Sequence, residues 1–320
     1  TDTGDLYFGI SAARYPNLEI QDCALTVVYE GKQHAFHASR RAPTDPRDMS
    51  TGPFHIEILE PMMTLRVVVE TGIGADLRWI PRTAHFPEDH QSLTPQQIGR
   101  WMITTRMNQF GFWSGEIRLP GETIAVNPQR TYGTKDRSWG VRPVGDPAPL
   151  GAPRQPKGFK FFWAPLHWSD HVTHIGIFEG DHGEVWHWDG FQLPAYTDAT
   201  LIPGIEDPNI RRFKSVAHDF AWKSGTRNVS GGTLTMEQHE GDPIVVELEP
   251  ILSVRMKGMG YGHPEWGHGF WKGELAIAGE SWNLADIEPL RPENVHIQEV
   301  IRVRRGDSVG VGVLEQLVAP

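Results

Sequence analysis

The sequence predicts an all-β protein built from two similar halves. Three observations carry this. Glycine (34) and proline (25) are plentiful across 320 residues, and long helical periodicity is scarce. Short apolar alternations separated by turn residues recur along the whole chain. And one stretch occurs twice: Gly111-Phe112-Trp113-Ser114-Gly115-Glu116 and Gly269-Phe270-Trp271-Lys272-Gly273-Glu274. Each copy runs on to a second Gly-Glu, Gly121-Glu122 and Gly279-Glu280. Seven of the twelve positions are identical at a constant offset of 158. An offset close to half the chain points to duplication of a whole unit.

In order, Leu25–Tyr29 reads as a strand ending in the turn Glu30-Gly31-Lys32, and Phe54–Leu59 and Met63–Val69 flank Pro61. This is the spacing of a meander or barrel. Arg40–Pro53 reads as a loop. Thr94-Pro95-Gln96-Gln97 is a candidate helical turn, with Thr as cap and Pro at the first position. Gly145–Gly158 is rich in Pro and Gly without periodicity and is the best linker. It divides the chain into units 1–150 and 151–320. The second half opens with Phe159–Trp168 and continues as hairpins through Val172–Phe178 and Glu184–Trp188. Further strands are expected at Ser215–Phe220, Gly232–Gln238, Pro243–Leu248, Ile297–Val303 and Val309–Leu314.

The bulk numbers restrict function. Net charge is −10 with no Lys/Arg block, which disfavours nucleic acid or an anionic membrane as partner. No apolar run approaches the ~20 residues of a spanning helix. No secretory leader pattern opens the sequence, so a cytoplasmic protein is expected, with a homodimer left open. Cys23 is the single cysteine, which rules out an intramolecular disulfide or a cysteine-based metal site. Twelve tryptophans and fourteen phenylalanines suggest apolar cavities or stacking surfaces. Of these, Trp113, Trp139, Trp168, Trp266 and Trp271, with His268, are the candidate substrate contacts.

Two polar stretches occur in one half only. In Thr134–Ser138, strand alternation puts Asp136 on the face opposite Lys135 and Arg137. A carboxyl turned away from its cationic neighbours towards an apolar cavity has its pKa raised, as a proton donor requires. The alternative is a surface aspartate paired with a basic residue. In Tyr261–Gly267, an extended chain would put Tyr261, His263 and Glu265 on one face as a proton-transfer set. Pro264 instead favours an edge or bend. No His-x-His occurs, and the spacings of His171/His174, His182/His187 and His263/His268 put neighbours on opposite strand faces, so no metal site is expected. Dinucleotide, P-loop and Gly-x-Ser-x-Gly patterns are absent, and no cofactor is expected.

The run Lys135-Asp136-Arg137-Ser138-Trp139-Gly140, followed by Phe161-Phe162-Trp163-Ala164-Pro165-Leu166-His167, resembles the AttH-like and carotenoid 1,2-hydratase group. That resemblance implies two tandem lipocalin-like (calycin) antiparallel β-barrels, and it gives Asp136 the role of protonating a C=C bond. The group's tyrosine two residues before the Asp is Thr134 here. Its upstream His-x-Trp pair has no clear counterpart near Met107–Trp113. The expected activity is a cofactor-independent lyase or isomerase (hydratase, dehydratase or cyclase type) on a hydrophobic small molecule such as a terpenoid, polyketide or aromatic. A non-catalytic lipid or terpenoid carrier and a carbohydrate-binding β protein stay open as alternatives.

Overall fold

The computed structural model describes residues 1–145 and 158–319. Most of the expected linker, and with it the 150/151 boundary, lies outside the described residues. The first half forms β1 (Leu6–Tyr15), β2 (Ile20–Tyr29), β3 (Lys32–Arg41), β4 (Phe54–Glu60), β5 (Thr64–Val69), β6 (Gly74–Pro81), β7 (Phe86–Pro87) and β8 (Gln91–Leu93). After the single helical turn α1 (Pro95–Ile98) come β9 (Met102–Leu119), β10 (Glu122–Val126) and β11 (Tyr132–Val141). The second half forms β12 (Phe159–His167), β13 (His171–Gly180), β14 (Val185–Pro194), β15 (Arg211–Arg212), β16 (Ser215–Trp222), β17 (Val229–Glu237), β18 (Ile244–Arg255), β19 (Leu275–Asn283), β20 (His296–Arg305) and β21 (Ser308–Val318). The expected strands are present. The expected turn at Thr94 is α1, where the Gln97 side chain accepts from Thr94 N at 2.9 Å.

The strands form lipocalin-like sheets in tandem. One sheet has the order β1-β2-β3-β19. A second runs β10-β9-β6-β5-β4, with β7, β8 and β11 also paired to β9. The third runs β15-β14-β13-β12-β21-β20-β18-β17-β16. Alternation decides which faces are buried. Leu6 on β1, Leu25 and Val27 on β2 and Phe36 on β3 meet Val67, Val69, Leu77 and Ile117 of the second sheet in one core. The third sheet curls around its own core of Phe162, Leu166, Ile177, Leu234, Val246 and Ile301. The β2–β3 hairpin turns at Glu30 (φ 47°) and Gly31 (φ 74°), two left-handed residues that match the twist of the flanking strands.

Several elements tie the halves together. Phe86 and Phe110 of the first half pack on Val172, Phe191 and Leu193 of the second. In addition β19, which follows β18 in the chain, adds to the first sheet alongside β3, from Leu275↔Arg40 to Asn283↔Lys32.

The duplicated stretch does not occupy equivalent places. Gly111–Glu116 lies within the long strand β9, with β6 along one edge and β11 and then β10 along the other. Gly269–Gly273 lies in a turn region, with Gly269 (φ 74°) and Gly273 (φ 107°) left-handed, and the strand starts only at Leu275. Gly121 is a hairpin turn, whereas Gly279 is mid-strand. No helix among the described residues is long and apolar enough to cross a membrane.

Candidate active site

A cavity of about 1890 Å³ opens between the sheets and reaches into the first barrel. Its polar part is assembled from both halves. Strand β11 presents Asp136, and β9 presents Arg106, which lies across from Ser138. Tyr261 follows the 3-10 turn Met256–Met259, and β20 and β21 present His296, Gln298 and Glu315.

Asp136 leaves β11 on the face opposite Lys135, as the alternation predicts. About half of its side-chain surface (47%) is open, and it lies on the wall of the cavity. Loss of solvent on the protein side pushes its carboxyl above the ordinary 3.8. Arg106 and Arg142 oppose the shift, and the carboxylates of Glu88 and Glu315 support it. Arg106 Nε stands 3.6 Å from Asp136 Oδ2. No hydrogen bond joins the two, and that Nε has no hydrogen-bond partner. The Arg106 Nη1 donates instead to Glu88 at 3.2 Å.

Glu88 is a buried carboxylate between the halves. It accepts from Asn108 Nδ2 at 2.7 Å and Trp163 Nε1 at 2.9 Å, with His174 Nε2 at 3.2 Å. Burial works against its charge, but Arg106, His174 and Trp163 together hold the carboxyl well below its usual range. Glu88 is therefore the fixed counter-charge of Arg106.

Across the cavity Glu315 accepts from His296 Nε2 at 2.8 Å and from Gln298 Nε2 at 2.7 Å. Gln298 in turn accepts from Tyr7 Oη at 2.5 Å. Burial opposes ionisation of Glu315, but the His296 and Gln298 contacts prevail and hold its carboxyl below the usual value. Tyr261 packs edge-on against His268 and His296, with centroids 4.5 and 4.9 Å away. Burial pushes its phenol up, so it is neutral.

The other expected residues are dispersed. Residues 261–274 turn repeatedly instead of extending, so Tyr261, His263 and Glu265 do not share a face. His263 reaches Glu280 on β19 at 2.9 Å, beside His37 at 3.0 Å, and Glu265 is exposed. His37, His263 and Glu280 offer donor atoms within 4.8 Å of one another, as a metal would require. But His263 Nδ1 accepts from the backbone N–H groups of Glu265 and Trp266, at 3.0 and 2.8 Å. That places the ring proton on Nε2, which donates it to Glu280 and has no lone pair for a metal. The donor set fits a hydrogen-bonded triad better than a metal centre.

Among the aromatics, Trp113 and Trp139 line the cavity, and so does His268, which lies 3.8 Å from Asp22. Trp266 stacks on His37. Trp168 is core, with Nε1 donating to Thr173 at 3.0 Å. Trp271 lies outside the cavity under the Arg41 guanidinium, 5.0 Å from its centroid. Arg106, Glu88, Glu315, Tyr7 and the His37–Glu280 pair are not marked as site residues by any sequence motif. One signal was present for Glu280, the second Gly-Glu of the repeat. The others are ordinary strand residues brought together only by tertiary contacts.

A solved structure of a protein provisionally assigned as AttH from Nitrosomonas europaea superposes with a TM-score of 0.59 at 12% identity, covering 98% of this chain and 88% of that one. At that identity the likeness speaks for the fold, which is AttH-like. No curated protein matches the sequence. The model of the Family of unknown function (DUF8625) matches residues 1–320, and the chain belongs to that family.

Proposed function

We propose that the cavity between the barrels binds a hydrophobic small molecule and that the protein acts on it by cofactor-independent acid–base chemistry. The observation that carries this reading is a contrast between two carboxyls on one cavity: Asp136 stands 3.6 Å from Arg106 without a hydrogen bond, whereas Glu315 accepts from His296 and Gln298 at 2.8 and 2.7 Å. Asp136 is pushed towards its neutral form, while Glu315 is held ionised by His296 and Gln298. Pairs of titratable groups driven apart in this way are the usual mark of an assigned acid and base.

In the proposed step the Asp136 O–H bond breaks and a C–H bond forms on an alkene carbon. The adjacent carbon becomes a cation, faced by the neutral Tyr261 ring and the Glu315 carboxylate. Water can then add to that carbon and return a proton to Asp136, which is a hydration, and its reverse is a dehydration. Loss of a neighbouring C–H proton to the Asp136 carboxylate, which restores its O–H, gives an isomerisation instead. Tyr261 lines the same cavity beside His268 and His296 and is assigned to this site. His263 is committed to Glu280 and Glu265 is exposed, so no step is assigned to them.

The test is incubation of isolated-alkene terpenoids in D2O with mass detection. Deuterium on carbon is expected with the wild type and absent with Asp136→Asn. A second reading, a carrier without turnover, is supported by the size of the cavity. It predicts displacement of an apolar dye by the same compounds, no deuterium uptake, and unchanged binding by Asp136→Asn.

A further inference from the structure

The opposite face of β11 is not used by the chemistry above. Lys135 and Arg137 leave the strand there, two residues apart, and both line the cavity. Lys135 Nζ sits 5.4 Å from the centroid of the Trp79 ring. Trp79 lies directly across from Trp113 in the β6–β9 pairing, and the two rings meet edge to face at 5.2 Å. The wall beyond is apolar, made by Phe8, Ile10, Ile56, Leu65 and Val67. Among the described residues neither the Lys135 nor the Arg137 side chain has a hydrogen-bond or ion-pair partner.

An unpaired cation at the edge of an apolar compartment is costly, because it gives up hydration without gaining a counter-charge. We propose that this face is the head-group site for an amphipathic carboxylic acid, the Lys135 ammonium taking the carboxylate and the first barrel taking the apolar chain. Two independent observations meet here: a cationic pair without an acidic partner, and a barrel interior that continues from it with apolar walls. Burial also lowers the Lys135 ammonium to about 8, in keeping with a charge that lacks its partner. The carboxylate is the feature recognised. An alcohol or ester of the same chain length would fill the barrel and leave the cation as it is now.

Fluorescence titration with cis-parinaric acid and with its methyl ester tests this, on the wild type, Lys135→Met and Lys135→Arg. The wild type is expected to bind the acid roughly ten-fold or more tightly than the ester, the scale of one charge-assisted hydrogen bond. Lys135→Met should bring the acid to the level of the ester without weakening the ester. Lys135→Arg should keep the preference, which separates loss of charge from loss of fold. Equal binding of acid and ester by the wild type, failure of both to bind, or a preference that survives in Lys135→Met overturns the proposal. The readout is binding alone, so it fails independently of the chemistry assigned to Asp136.

Discussion

Arg106 holds Glu88 with a 3.2 Å hydrogen bond and stands 3.6 Å from Asp136 without one. The guanidinium is thus committed to a carboxylate that is already ionised. If Glu88 were absent, Arg106 would be free to hold Asp136 ionised and remove it as a proton donor. Glu88 does not touch the open part of the site, but it sets the charge that Asp136 experiences.

Glu88→Gln should lower the Asp136 titration midpoint relative to the wild type, because a negative charge is lost and Arg106 is released. It should also destabilise the fold by about 3–5 kcal/mol, the usual result of leaving one member of a buried pair uncompensated. Carbon-detected NMR of the Asp136 carboxyl reads the first effect and urea denaturation the second. A stable variant with an unmoved midpoint would show that Arg106 is not the link.

Asp189, buried on β14, accepts a hydrogen bond from Asp89 N and lies 3.7 Å from Arg212 Nη1. Burial, with the charges of Glu88 and Asp89, pushes its carboxyl up to about 8. A raised folded-state value means that the folded chain holds this proton when the unfolded chain has lost it. The contribution to stability is complete below 3.8 and is lost as pH rises through about 8. Thermal melts at pH 5 and pH 9 should show a fall in the wild type and a smaller one in Asp189→Asn. An equal fall in both would place the pH dependence elsewhere.

Glu280 takes hydrogen bonds from both His37 and His263. Burial opposes its charge, but the two histidines prevail and hold its carboxyl down to about 2. The sign is opposite to that of Asp189: stability is present above 4.5 and is lost as pH falls towards 2. Glu280→Gln should flatten the acid limb of the stability curve across that window. Melting temperatures at pH 3 and pH 6 check it, and an unchanged acid limb contradicts it.

Gly133 lets β11 pass flat over the aromatic pair. A Cβ there would come 2.6 Å from the Trp113 ring and 2.9 Å from Trp79. Gly133→Ala is expected to cost about 1–3 kcal/mol, the range for overpacking, and to shift tryptophan emission. Chemical denaturation followed by fluorescence checks both.

The sequence made the strands legible because their alternation is local, and it made the face of Asp136 legible because Lys135 and Arg137 flank it. The addition of β19 to the first sheet could not be read, because pairing between Ile277 and Ala38 leaves no mark on either segment. The partnership of His37 with Glu280 depends on that pairing and was hidden with it. The repeated Gly-Phe-Trp misled about local conformation for a physical reason. In β9 it has a strand on each edge, whereas near residue 270 left-handed glycines at 260, 262, 269 and 273 break the chain into turns. Identical residues follow their neighbours' hydrogen bonds more than their own propensity.

The most direct test of the account is the titration of the Asp136 carboxyl itself, by carbon-detected NMR with the signal assigned by its loss in Asp136→Asn. A midpoint above 3.8, the ordinary aspartate value, is expected with Arg106 in place. A midpoint at or below 3.8 would mean that Arg106 and Arg142 outweigh burial, and Asp136 could not be the proton donor.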